Sequence, residues 1–263
     1  MPTADLGDVT LQYELAGDGP PLLVVNGTGS DLRREPSILE SPLVRHFSVL
    51  AYDHRGLGRS RAADPEHQPT MADFAADALR LCTSLGWERV FVLGFSFGGM
   101  VAQEIALAGG ERIQRLVLAC TSSGGAGGAS APLHELYALP TPQRVERLAS
   151  YTDLRSTTDR TRREELLRLL ALAAESEDPA TLPGLRKQLE ARRRHDTWER
   201  LPSLRIPTLV AAGRHDGIAP LANAEALASR IPGARLRVFE GGHLFVLEDR
   251  AAWSAMIAFL KEG

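Results

Sequence analysis

Along residues 9–16, Val9, Leu11, Tyr13 and Leu15 alternate with more polar neighbours, the period-two pattern of a half-exposed antiparallel strand near a sheet edge. The pattern then changes. Residues 21–25, 47–52, 90–93, 116–119, 208–212 and 236–239 form short runs, several of them apolar throughout, as expected of parallel strands covered on both faces. Helical stretches separate several of these runs. Thr70-Met71-Ala72-Asp73 resembles a capping box with Asp in place of the usual Glu, and Phe74, Ala78, Leu81 and Leu85 follow at helical spacing. Pro220 fits the first turn of a helix whose inner face includes Leu221, Ala224, Leu227 and Ile231. Alternating strands and helices predict an α/β fold with a doubly wound, mostly parallel sheet.

The alternation stops between about residues 121 and 201. Residues 122–131 are rich in Gly, Ser and Ala, a hinge composition, and the stretch that follows reads as helical with no clear strand. Leu166, Leu169, Leu170, Ala173 and Ala174 make one apolar stripe, and Leu182, Leu185 and Leu189 begin another. An all-helical insertion between two strands predicts a mobile lid over 122–200, dividing a core made of 1–121 and 201–263.

The length of 263 residues suits one such domain with an insertion. Thirty Lys and Arg against 33 Asp and Glu give a net charge of −3 with no long run of one sign, which argues against nucleic acid or an anionic membrane as partner. Small molecules are the expected partners. No stretch has the make-up of a signal peptide or the ~18 consecutive apolar residues of a membrane span, so a cytoplasmic location is expected. Cys82 falls in a predicted helix and Cys120 ends a predicted strand. Two unclustered cysteines form neither a disulfide framework nor a zinc site, and both read as buried apolar residues.

The chemistry centres on Gly94-Phe95-Ser96-Phe97-Gly98, placed between a strand-like run and a helix-like run. A serine at the apex of a strained strand-to-helix turn needs neighbours without a Cβ wherever backbone crowds together, and the helix that follows aims its first N–H groups at the serine. A serine hydroxyl is a poor nucleophile at neutral pH, so it needs a histidine to take its proton and an acid to orient that histidine. His243, after Gly241-Gly242 and the last predicted strand, is the strongest of seven histidines. Asp216 precedes it in the loop after the run 208–212. All three residues fall in loops at the carboxyl edge of the predicted sheet.

The order Ser96, Asp216, His243, with Asp53-His54-Arg55-Gly56-Leu57-Gly58-Arg59-Ser60 upstream, resembles the α/β-hydrolase superfamily, and within it the 3-oxoadipate enol-lactonase-like hydrolases. The resemblance covers residues 5–120 and 202–262. It implies Ser96 as nucleophile, Asp216 as triad acid and His243 as base, with no metal and no organic cofactor. One oxyanion donor is then the N–H of Phe97, and the position of Asn26-Gly27-Thr28-Gly29 makes Thr28 N–H the second. The family often shows His-Gly before that donor, so Asn26 is a departure that bears on the hydrogen bonds shaping the loop. The segment 53–60 reads as a structural turn supporting this loop.

Asn26 and Trp198 are the expected substrate contacts, with His195 and Asp196 beside Trp198 as further pocket candidates. Phe95 reads as core and Phe97 as substrate-facing. Arg33, Arg34 and Arg192-Arg193-Arg194 fit either a solvated face or a site for a substrate carboxylate. The expected function is cofactor-independent hydrolysis of a small carboxylic ester or enol-lactone through an acyl-enzyme. A ligand-binding receptor of low turnover, or a non-hydrolytic cyclase or isomerase, would use the same cleft.

Overall fold

In the computed structural model, which describes residues 2–262, the chain forms a nine-stranded sheet wrapped by helices. Its strands are β1 (Thr3–Asp5), β2 (Val9–Ala16), β3 (Pro21–Val25), β4 (Ser48–Tyr52), β5 (Arg61–Ala62), β6 (Val90–Phe95), β7 (Ile113–Ala119), β8 (Thr208–Gly213) and β9 (Arg235–Phe239). The order across the sheet is β1-β2-β4-β3-β6-β7-β8-β9, with β5 pairing β2. β2 is antiparallel to β1, β4 and β5, while β4-β3-β6-β7-β8-β9 is parallel throughout. The doubly wound sheet expected from the apolar runs is therefore present. β7 begins before its apolar run because the ladder continues through half-buried polar positions, as in the pairing of Phe91 with Arg115, and β6 runs on through Gly94 and Phe95, which pair with Leu118 and Ala119.

β2 lies one strand in from the edge, as its alternation predicts, but two positions differ. Leu15 is 46% exposed, and Gln12 is buried, with its side chain donating to Pro2 O at 2.7 Å and its N–H to Ser60 Oγ at 2.9 Å.

The helices flanking the sheet are α1 (Met71–Ser84), α2 (Phe97–Gly109), α7 (Leu221–Arg230) and α9 (Arg250–Leu260), with a short α8 (Phe245–Glu248) before α9. α1 begins with a complete capping box, Thr70 and Asp73 each accepting the other's backbone N–H, so Asp serves where Glu is usual. Buried residues of α1, α2 and α7 pack on one face of the sheet. Ala252, Met256, Phe259 and Leu260 of α9 pack on the other. Each fully buried Leu or Phe in these layers contributes about 1.5–3 kcal/mol by leaving water, which holds the sheet, and hence its carboxyl edge, as a rigid frame.

Between β7 and β8 lie α3 (Leu133–Leu136), α4 (Thr141–Thr152), α5 (Arg160–Glu175) and α6 (Leu182–Arg193). Among the described residues this stretch contains no strand, only an isolated bridge between Gly124 and Asp196. The stripe on α5 is only partly an inner face. Leu166 is buried, but Leu169 is 46% exposed and Leu172, outside the stripe, 66%. Leu185 and Leu189 of α6 do pack inward, against Leu57, Leu133, Leu136 and Ile218. Among the described residues no helix is long and apolar enough to cross a membrane.

Candidate active site

Ser96 sits between the end of β6 and the first residue of α2, with φ 53° and ψ −115°. A non-glycine residue held in this region stores strain of order 1–3 kcal/mol, and the surroundings must enforce it. They do so from both sides. Ser96 N–H donates to Ala119 O at 2.9 Å, and Ser96 O accepts from Gly99 N at 2.9 Å and from Thr121 Oγ1 at 2.8 Å. A Cβ on Gly94 would collide with the backbone of Gly98, and one on Gly98 with the carbonyl of Val25. The two glycines of the pentapeptide are thus required by close backbone approach, as the sequence pattern predicts.

His243 and Asp216 reach the same point from the loops after β9 and β8. His243 Nε2 lies 2.9 Å from Ser96 Oγ, and His243 Nδ1 lies 2.7 Å from Asp216 Oδ2. Asp216 is 1% exposed, and its Oδ1 accepts the N–H groups of Ile218 and Ala219, both at 2.8 Å. These two bonds fix the orientation of the carboxyl. A carboxylate Oδ2 can only accept, which favours the His243 tautomer with its proton on Nδ1 and leaves Nε2 as the acceptor facing Ser96 Oγ. The insertion contributes to this geometry. Thr152 O, at the end of α4, accepts His243 N–H at 2.6 Å, and Tyr151 O accepts Gly217 N–H at 2.8 Å.

The loop after β3 faces Ser96 from the other side, and three outside groups shape it. His54 Nε2 donates to Asn26 O at 3.1 Å, Asp53 Oδ1 accepts Leu32 N–H at 2.8 Å, and Gln188 Oε1 from α6 accepts Gly29 N–H at 2.9 Å. Two of the three come from the segment 53–60, which accordingly supports the loop as a structural turn. Asn26 in place of His therefore leaves the loop well anchored. His54 is enclosed edge-to-face by Tyr52, Phe74 and Phe97. Burial holds its imidazole down at about 4, so at neutral pH it is uncharged and can serve as a plain N–H donor. Arg55 closes the turn through a two-pronged bond to Asp77, 2.7 Å at each prong.

A cavity of about 710 Å³ opens at Ser96 and His243. Asn26, Gly27 and Thr28 line it on one side; Phe95, Leu244, Val246, Leu247 and Trp253 line it from the core, and Leu133, Tyr137, Leu148, Thr152 and Leu170 from the insertion. Phe97 N–H, at the first position of α2, has no acceptor within its own helix and lies beside the serine. The site thus brings together a serine hydroxyl, an imidazole and an oriented carboxyl, with the free Phe97 N–H next to the serine and the loop that carries Thr28 across the cavity.

Several expected pocket residues are elsewhere. Phe97 is fully buried against Phe74 and His54, whereas Phe95 is half-buried, packs on Trp253 and lines the cavity, so the two exchange the roles expected of them. Trp198 does not line the cavity: its ring lies over Gly127 with the Arg230 guanidinium 4.7 Å from its centroid. His195 is buried, and Asp196 accepts Trp198 N–H, both outside the cavity lining. Arg33 pairs with Asp31 and Asp178, while Arg34 lies on the cavity wall and donates to Ser176 O. Arg193 and Arg194 pair with Glu190 on the surface, and Arg192 is buried. Both cysteines are free and buried; burial pushes the Cys82 thiol up to about 12 and that of Cys120 well above its usual range. Cys120 nonetheless touches the cavity. Gln188 was not among the expected site residues, since it lies between the leucines of an apolar stripe.

A family profile for the alpha/beta hydrolase fold matches residues 20–250. Among its relatives, a protein of Azorhizobium caulinodans provisionally named carbamate hydrolase RutD is 30% identical over 93% of this chain and 92% of its own length. The poly(3-hydroxyalkanoate) depolymerase of Ectopseudomonas oleovorans is 30% identical over 92% of this chain and 84% of its own. The solved enol-lactonase of Burkholderia xenovorans LB400 superposes with a TM-score of 0.82 at 26% identity, covering 99% of this chain and all (100%) of the enol-lactonase. With its parallel sheet, its elbow serine and a profile match across most of its length, the chain belongs to the alpha/beta hydrolase fold family.

Proposed function

We propose that this protein is a cofactor-independent serine hydrolase that cleaves a small carboxylic ester or lactone through an acyl-enzyme on Ser96. The observation that carries the reading is the continuous hydrogen-bond line from Ser96 Oγ through both nitrogens of His243 to Asp216, inside a cavity large enough for a small ester. His243 Nε2 takes the serine proton as Oγ attacks the carbonyl, and the N–H groups of Phe97 and Thr28 hold the oxyanion. The imidazolium then gives its proton to the leaving alkoxide. Water, deprotonated by the same nitrogen, attacks the acyl-enzyme, and the acid leaves with Ser96 restored.

The mostly apolar cavity wall supports a small, largely apolar substrate, and residues 122–200 act as the cap that sets its shape. Phe95 and Trp253, rather than Trp198, then contact it from the core side. The names of the relatives widen the candidate carbonyl to carbamates, whose cleavage would use the same nucleophile and donors. The test is a panel of aryl esters, lactones, carbamates and thioesters offered to the purified protein. Sustained multiple turnover is expected for esters or lactones above carbamates. Stoichiometric binding without turnover across the panel would instead support a receptor.

A further inference from the structure

Gln188 is fully buried in α6, yet its side chain reaches out of the insertion to accept Gly29 N–H at 2.9 Å. The contact spans 159 positions of sequence. Its Nε2 has no hydrogen-bond partner among the described residues, so the amide makes one bond, and that bond is to the loop that carries Thr28. A buried amide left half-satisfied costs free energy, and an apolar residue would fit the leucine-rich face better on stability alone.

Gly29 N–H belongs to the peptide unit that follows Thr28. Gly29 has φ +68°, and a glycine there can rotate that peptide more freely than any other residue, so an unanchored loop would sample several orientations of Thr28. The anchors at Asn26 and Leu32 come from the core, and Gln188 alone of the three comes from the insertion. The helix behind it is firmly seated. A Cβ on Gly184 would collide with Gly56 O, so the start of α6 rests directly on the turn 53–60. One turn beyond Gln188, Arg192 donates to Ala131 O at 2.7 Å, and Ala131 N–H donates to Ile218 O, also at 2.7 Å, beside the turn that holds Asp216.

We propose, on the basis of the serine-hydrolase reading above, that Gln188 is a positioning residue that fixes the loop 26–32 with Thr28 N–H facing the oxyanion, so that oxyanion stabilisation depends on α6 being seated. α6 is on this account a brace, not part of a moving cover. The full-length protein is assayed with p-nitrophenyl butyrate, with butylboronic acid as a tetrahedral anionic mimic and with butyramide as a neutral competitor, in Gln188→Leu and Gln188→Glu. Loss of an oxyanion donor, or its displacement by an ångström, costs on the order of 10²-fold, so Gln188→Leu should lose about 10- to 100-fold in kcat. KM should stay within about threefold, and boronate affinity should fall in step with kcat while butyramide binding is unchanged. Gln188→Glu keeps the acceptor oxygen and should restore most of both.

Wild-type kcat and boronate affinity in Gln188→Leu would overturn the proposal. So would equal losses in the Leu and Glu variants, which would mark a packing role, or a loss confined to KM. Failure of the underlying reading looks different: the wild-type protein would not turn over the ester, or Ser96→Ala would turn it over equally well.

Discussion

Replacing Ser96 by alanine should remove hydrolysis by about 10⁴- to 10⁶-fold while leaving the fold intact, the scale of loss when one member of a concerted triad is deleted. The change removes one oxygen, whose partner is His243 Nε2 at 2.9 Å, and a single hydrogen bond of this kind is worth about 1 kcal/mol. Backbone strain at this position is unchanged, because alanine at φ 53° is no less constrained than serine. The bonds that enforce the turn run through backbone N–H and C=O groups, which the substitution keeps. Steady-state kinetics and thermal melting together check this outcome. A purified variant that keeps more than about a tenth of the wild-type kcat would place the chemistry on another residue.

Asp216→Asn should cost roughly 10⁴-fold in kcat with a smaller effect on KM. An asparagine can keep the shape of the site if its oxygen accepts the N–H groups of Ile218 and Ala219, as Asp216 Oδ1 does now. Its NH₂ then meets His243 Nδ1, two donors face to face, and the imidazole must move its proton to Nε2. In that tautomer Nε2 cannot take the serine hydrogen, and no carboxylate stabilises the imidazolium formed during attack. Asp196→Asn is the matched control. Asp196 is exposed and accepts Trp198 N–H outside the cavity, so its loss should change kcat by no more than about threefold. A dead Asp196 variant beside a nearly normal Asp216 variant would reverse the assignment of the acid.

The sheet and the meeting of Ser96, His243 and Asp216 were legible because the strands and the turn are written in local signals. Strands buried on both faces write themselves as short apolar runs, and Gly94 and Gly98 mark a turn in which backbone presses on backbone. In a parallel sheet the loops after β6, β8 and β9 share one edge, so chain order alone brings Ser96, Asp216 and His243 together.

What escaped depends on side-chain direction and on long-range contact. Phe95 ends a strand and Phe97 begins a helix, and neither the period of two nor that of 3.6 survives across the junction. The face each ring takes is therefore set by the strained turn between them. The place of Trp198 depends on the path of the chain after α6, where Thr197 N–H donates to Ser123 O and turns the indole toward α7. On α5 the leucines read as a core-facing stripe, but a helix at the rim of a cavity leaves much of its apolar face uncovered. Gln188 was hidden for the opposite reason, a polar residue on a buried face whose partner lies near the start of the chain.

The central claim is that the acyl group passes through Ser96. Rapid-quench mass spectrometry of the wild-type protein during turnover of p-nitrophenyl butyrate tests it most directly, with Ser96→Ala alongside. A butyryl adduct is expected on the peptide that carries Ser96, formed as fast as p-nitrophenol is released in the first turnover and absent from the variant. Turnover with no adduct, or with the adduct on another residue, would contradict the account.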